Sequence, residues 1–182
     1  MHEAMQTLES QTVFSGPVFS LADEQLQLAT GKLVHHFTIR HPGAVVILPR
    51  QDDGTLLLIK QYRHSVGITL LEFPAGTLEA GEEPLTCAKR ELAEETGYLA
   101  TQWQALGHLY PAPGFCSEVQ YCFFASGLAP GVAHPDADEC IEVVSMSTAE
   151  VDQAIRAGRL SDGKSIALYT RANLHGLLAV RP

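Results

Sequence analysis

Residues 84–97, PLTCAKRELAEETG, are punctuated as a helix, and the chain on either side of them is not. Pro84 suits the first turn, where its missing N–H costs nothing, and Gly97 suits the left-handed residue that ends a helix. The flanking runs AVVILPR, TLLLIKQYR, ITLLEFPAG, WQALGHLYP and VQYCFFASG are short, apolar and bounded by turn signals, which is the pattern of strands. QDDG between the first two makes them a β-hairpin entering a buried sheet. Two helices follow: Ser147 and Thr148 can cap AEVDQAIRAG, and SDGKSIALYTRANLHGLL starts at another Ser-Asp pair. Strands alternating with helices predict an α/β fold with a mixed sheet and helices on its faces.

The first forty residues differ. VFSGPVFSL, QLQLAT and KLVHHFTI read as strands broken at Gly-Pro, Asp23-Glu24 and Thr-Gly. A break at HPG, residues 41–43, then separates a small β-rich N-terminal unit, 1–42, from the main domain, 43–182. At 182 residues and 46% hydrophobic the chain can bury a sizeable core.

Several function classes are disfavoured. The apolar runs are too short to cross a membrane, and MHEAMQTLESQ lacks the layout of a secretion signal, so the expected location is the cytoplasm. Cys87, Cys116, Cys122 and Cys140 form no CxxC pair and read as reduced packing thiols. With net charge −9 and only 12 Lys+Arg spread along the chain, no basic stripe offers itself to nucleic acid. An anionic small molecule can bind only where something cationic, such as a metal ion, screens it.

Glu79, Glu82, Glu83, Glu91, Glu94 and Glu95 crowd into residues 76–98. At about 100° per residue, Glu91, Glu94 and Glu95 share one helix face, beside the stripe of Leu85, Ala88 and Leu92 that must pack on the sheet. Like charges so spaced cost a few tenths of a kcal/mol when exposed and more when partly desolvated. Charge and spacing leave two readings open: a solvated acidic face with incidental salt bridges, or a site for a hard divalent cation, usually Mg²⁺ where phosphates are handled.

The full spacing is more specific. Gly76, Glu82, Arg90, Glu91, Leu92, Glu94, Glu95, Gly97 and Tyr98 follow G-x5-E-x7-R-E-U-x-E-E-x-G-U, with U apolar and Tyr98 in place of the more usual aliphatic residue. This resembles the signature of the Nudix hydrolases. The resemblance implies an α/β/α sandwich with a Mg²⁺ site, Mn²⁺ being the other ion considered, that cleaves a nucleoside diphosphate linked to another group. Glu91 and Glu95 would be metal ligands, Glu94 a further ligand or the carboxylate that holds water, and the Ala75 carbonyl a backbone ligand. Arg90 and Glu82 would be orienting partners within the motif.

KQYRHSVGITLLEFPAGTLEAGEEP and YPAPGFCSE are similar to the ADP-ribose and nucleotide-sugar pyrophosphatase branch. By that likeness Arg63 would contact the diphosphate, with Glu72, Gly76, Glu118 and Pro113 or Pro111 lining the substrate site. A late acidic loop supplies the general base in such enzymes, and HPDADECIE is its counterpart. Ala137 stands where the key Glu can be expected, leaving Asp136, Asp138 and Glu139, of which Glu139 is preferred. The N-terminal unit would form a homodimer, with Phe14, Phe19 or Phe37 available to stack on a base and His36 where some relatives carry Arg. Two alternatives stand beside this reading: a Nudix enzyme for another substrate, such as a dinucleotide, and a nucleotide-sensing module without turnover.

Overall fold

The computed structural model describes residues 5–131 and 141–179. Two compact units divide the chain, Met1–Gly43 with Tyr110–Val119, and Ala44–Leu109 with Gln120–Pro182. The excursion at 110–119 has no counterpart in the sequence reading, which divides the chain once.

The first unit is an antiparallel sheet of β1 (Met5–Ser15), β2 (Ser20–Leu28) and β3 (Leu33–Arg40), with β2 in the middle. Asp23-Glu24, expected to be a turn, lies inside β2, where Asp23 pairs in register with Phe37 and Glu24 with His36. The strand tolerates a buried carboxylate because Arg40, Thr38 and Ser10 all donate to Glu24, which is 5% exposed. β1 begins eight residues before the expected strand and is exposed along its whole length, so it carries no burial alternation to read. Residues 110–119 attach to β3: Ile39 N–H donates to the Phe115 carbonyl at 2.8 Å, and Ser117 N–H to the Ile39 carbonyl at 2.9 Å.

The second unit begins with β4 (Ala44–Pro49), every residue of which is buried. β4 runs parallel to β9 (Gln120–Pro130) and antiparallel to β7 (Ala75–Thr77), and β8 (Tyr98–Leu109) completes the mixed sheet in the order β7-β4-β9-β8. A second, antiparallel sheet places β5 (Leu56–Arg63) between β10 (Ile141–Met146) and β6 (Ile68–Glu72).

Strand alternation sends β4 to two cores. Val46 and Leu48 join Leu58, Phe73 and Phe124 against Val151 of α2 (Thr148–Arg156) and Leu168 of α3 (Gly163–Leu174). Val45 and Ile47 pack on Cys87, Ala88 and Leu92 of α1 (Pro84–Thr96). Helices thus cover both faces, giving the expected α/β/α sandwich. Each fully buried Val, Leu or Ile contributes about 1.5–3 kcal/mol, so this doubly covered strand contributes heavily to the unit's stability.

ITLLEFPAG, read as one strand, is two. The chain leaves the antiparallel sheet after Glu72 and enters the mixed sheet at Ala75. Pro74 sits at the crossing, and its carbonyl accepts from Ile47 N–H at 2.8 Å. That crossing sets the end of β6, the start of β7 and α1 beside one another.

Candidate active site

The helix bearing the glutamates starts and stops as its sequence directs. Pro84 occupies its first turn, and Gly97 ends it at φ 72°, donating its N–H to the Ala93 carbonyl at 2.9 Å. Its packed stripe is Cys87, Ala88 and Leu92; Leu85, expected there, is 38% exposed because the first turn overruns the apolar contact. Burial pushes the Cys87 thiol up to about 12, with Glu82 adding to the shift, so it stays a protonated packing group.

Arg90 organises the polar side. Its Nε and Nη2 donate to the two oxygens of Glu82 at 3.1 and 3.0 Å, a bidentate pair. Nη1 donates to Glu91 Oε1 at 2.7 Å and to Glu94 Oε2 at 2.9 Å. Nη2 also reaches the Thr77 carbonyl at 3.3 Å, so one guanidinium ties the loop to the helix. That pairing holds the Glu82 carboxyl down to about 2, and Glu82 with Glu91 and Glu94 raises Arg90 above its ordinary range. Arg90 is thereby held by three carboxylates of the same segment.

Two contacts join helix and loop where the oxygens gather. Glu95, 4% exposed, accepts from Ala75 N–H through Oε2 at 3.0 Å. Glu91 lies against Gly76, where a Cβ would stand 1.9 Å from its Cδ and Oε1. Glycine at 76 therefore leaves the room in which the Glu91 carboxylate sits. The donors on hand, carboxylates of Glu91, Glu94 and Glu95 and the Ala75 carbonyl, are all oxygen, the set that suits a hard divalent cation. The space that Gly76 leaves lets one of those carboxylates lie directly on the backbone of β7. Among the described residues no three His, Cys, Asp or Glu side chains already form a cation cage, and Arg90 supplies the positive charge beside Glu91 and Glu94.

A second charge system stands at the crossing. Arg63 Nε and Nη2 donate to Glu72 Oε1 and Oε2 at 2.8 and 2.7 Å. Glu72 is fully buried, and its two oxygens fix the plane of the Arg63 guanidinium. Burial pushes the Glu72 carboxyl up, but Arg63 and Lys164 outweigh it and hold it below the usual range. Glu72 in turn raises Arg63.

Lys164 was not singled out from the sequence. It donates to Glu72 Oε2, and its Nζ is 3.1 Å from Asp162 Oδ2. One signal was available: a lysine in the first turn opposes the helix dipole, so something nearby had to compensate it.

The remaining expected residues lie elsewhere in the chain's organisation. Pro111, Pro113 and Glu118 belong to segment 110–119 of the first unit; Phe14, His36 and Phe37 lie in that unit's sheet, and Phe19 just before β2. Phe14, Phe19 and Phe37 are 52%, 42% and 54% exposed, and the first two rings stand 5.8 Å apart. Asp136, Ala137, Asp138, Glu139 and Cys140 lie outside the described residues.

Comparison with known proteins bears on the same segments. The family described as NUDIX domain matches residues 39–169. The ADP-ribose pyrophosphatase of Bacillus subtilis (strain 168) is 35% identical over 162 residues, 88% of each chain. A GDP-mannose pyrophosphatase of Yersinia enterocolitica is 38% identical over 148 residues, 76% of this chain and 77% of the relative. A crystal structure of an ADP compounds hydrolase matches the fold with a TM-score of 0.84 over 96% of both chains, at 24% identity.

Proposed function

The chain belongs to the Nudix family, and from that premise we propose that it hydrolyses the diphosphate of ADP-ribose or a related nucleoside diphosphate sugar. The products are a nucleoside monophosphate and a sugar phosphate. Water adds its oxygen to one phosphorus while the bridging P–O bond breaks, and the departing phosphate takes the electron pair.

The observation that carries this reading is the seat of Glu91 on Gly76. A position in β7 that carries no side chain lets the carboxylate lie directly against the strand backbone, among other oxygen donors. Glu91, Glu94, Glu95 and the Ala75 carbonyl would hold Mg²⁺ or Mn²⁺. Such an ion, when bound, neutralises phosphate oxygens and makes nearby water more acidic. Arg63, with Nε and Nη2 fixed by Glu72, presents its remaining edge to the diphosphate. Glu139 is the proposed base, accepting the proton of the attacking water, with Glu118 a second carboxylate for that task.

The wider setting follows the same reading. Cytoplasmic location suits a nucleotide sugar as substrate, and no described helix is long and apolar enough to cross a membrane. A homodimer through the N-terminal sheet would cover Leu8, Val13 and Phe37, which are 47%, 50% and 54% exposed. Light scattering at two protein concentrations distinguishes dimer from monomer.

The deciding assay offers ADP-ribose, ADP-glucose, GDP-mannose, UDP-glucose, NADH and a dinucleoside polyphosphate with Mg²⁺ and with EDTA. Metal-dependent cleavage led by ADP-ribose or one nucleotide sugar is expected. Cleavage led by the dinucleotides would move the chain to another Nudix substrate, and binding without cleavage of any of them would make it a sensing module.

A further inference from the structure

We propose that Lys164 is a positioning residue of the diphosphate site: through Glu72 it sets the aim of Arg63. The start of α3 thereby supports the crossing that leads into Ala75 and Gly76 of β7. The inference rests on the reading above in one respect, that Arg63 meets the diphosphate.

The sequence places Lys164 where a cation is disfavoured. In the first turn of a helix the exposed N–H groups carry partial positive charge, and a cation there is disfavoured. The side chain is also only 13% exposed. A lysine kept in such a place owes its stability to its partners, Glu72 Oε2 and Asp162 Oδ2.

Those partners link it to both halves of the site. Glu72 has two oxygens for three donors: Oε1 takes Arg63 Nε, and Oε2 takes Arg63 Nη2 and Lys164 Nζ. Without Nζ the buried carboxylate loses one of two restraints on Oε2. Both Arg63 nitrogens that define the guanidinium plane rest on that carboxylate, so Arg63 moves with it. Asp162 Oδ2 also accepts from Ser165 N–H at 3.0 Å and Ser165 Oγ–H at 2.6 Å, and Ser165 Oγ accepts from Phe73 N–H at 2.8 Å. The loop is then held at Glu72 and Phe73 by α3 and at Ala75 by Glu95 of α1.

Charge points the same way. Arg63 and Lys164 against Glu72 and Asp162 sum to zero; without Lys164 the set is net negative beside a site for an anion, in a chain of charge −9. The loss should appear in the binding of the diphosphate more than in the bond-breaking step.

Lys164→Met and Lys164→Arg in the full chain test this, with steady-state kinetics on the preferred nucleotide sugar at saturating divalent metal. Lys164→Met should raise KM about tenfold and change kcat less than about threefold, and Lys164→Arg should restore most of the loss. A drop in kcat and in melting temperature with KM unchanged would reduce Lys164 to a structural residue and overturn the proposal. If Lys164→Met does not fold, Lys164→Gln, which keeps an N–H donor without the charge, carries the same test.

A second readout is independent of turnover. The Arg63 Nε–H resonance, assigned by its loss in Arg63→Lys, should shift and exchange faster with water in Lys164→Met. An unmoved resonance overturns the positioning role whatever the activity. A moved resonance in a protein whose unsubstituted form neither binds nor cleaves nucleotide sugars supports the positioning role and overturns the functional reading.

Discussion

A Cβ placed on Gly76 would lie 1.9 Å from the carboxylate carbon of Glu91. The obstacle is the far end of a flexible side chain, so the backbone need not move. Gly76→Ala should therefore fold with a melting temperature near that of the unsubstituted chain and swing the Glu91 carboxylate off the loop. Turnover should fall by about a hundredfold, the scale of misplacing a group that acts on the reacting phosphate. Titration with Mg²⁺ checks the cause: half-saturation should move to higher metal. Normal turnover in Gly76→Ala would remove Glu91 from the metal site.

The Arg90–Glu82 pair predicts a particular acid sensitivity. Glu82 titrates at 4.5 when unpaired and at about 2 in the folded chain, held down first by its hydrogen bonds from Arg90. A carboxyl depressed on folding stabilises the fold above its unfolded pKa, and that contribution is lost as pH falls toward the folded value. The window is thus pH 4.5 down to about 2. Urea midpoints measured across it should fall more steeply for the unsubstituted protein than for Glu82→Gln, and the two curves should converge at the acid end. Parallel curves would mean that the pairing is not present in solution.

What could be read in the sequence divides along physical lines. The α1 boundaries were legible because Pro84 and Gly97 act through their own backbones, whatever surrounds them. The seat of Glu91 was legible only as spacing, since nothing local says that position 76 needs glycine for room. Asp23-Glu24 read as a turn because acidic pairs favour solvent, and the interaction that reverses this comes from Arg40, sixteen residues away. The division of ITLLEFPAG between two sheets depends on which strands flank it, information that lies at β4 and β5. Lys164 was hidden for the same reason: its partner Glu72 is distant in sequence and becomes a neighbour only when α3 caps the crossing.

Burial should separate two salt bridges that look alike on a contact map. Lys60 and Glu142 pair at 2.8 Å, with side chains 44% and 67% exposed, whereas the Glu72 carboxylate is fully buried between Arg63 and Lys164. Water and salt screen the first pair, so Glu142→Gln should cost about 0.5 kcal/mol or less. Glu72→Gln leaves two cations around a neutral amide, and breaking a buried pair in this way costs about 3 kcal/mol. Denaturation midpoints of the two variants give the comparison directly. Equal losses would mean that Glu72 is hydrated in solution.

Charge-only substitutions can rank the carboxylates, provided that each variant keeps its hydrogen bonds. Glu95→Gln retains an amide oxygen able to accept from Ala75 N–H, so the loop should stay in place while the negative charge is lost. Glu94, whose side chain is 35% exposed, has still less structural duty. Glu94→Gln should melt within about 0.5 kcal/mol of the unsubstituted protein, whereas Glu95→Gln, which brings a new N–H₂ into a buried place, should cost about 1–3 kcal/mol. Turnover should nevertheless fall by two or more orders of magnitude, because a ligand's charge is what sets metal binding and phosphate neutralisation. Glu139→Gln, Asp138→Asn and Glu118→Gln complete the series. A proposed base contributes about 10²–10⁴-fold, so the residue whose removal costs that much at saturating metal, and whose loss flattens the acid limb of the pH profile, is the base. A cost below about tenfold for all three would place proton acceptance on a group outside this set.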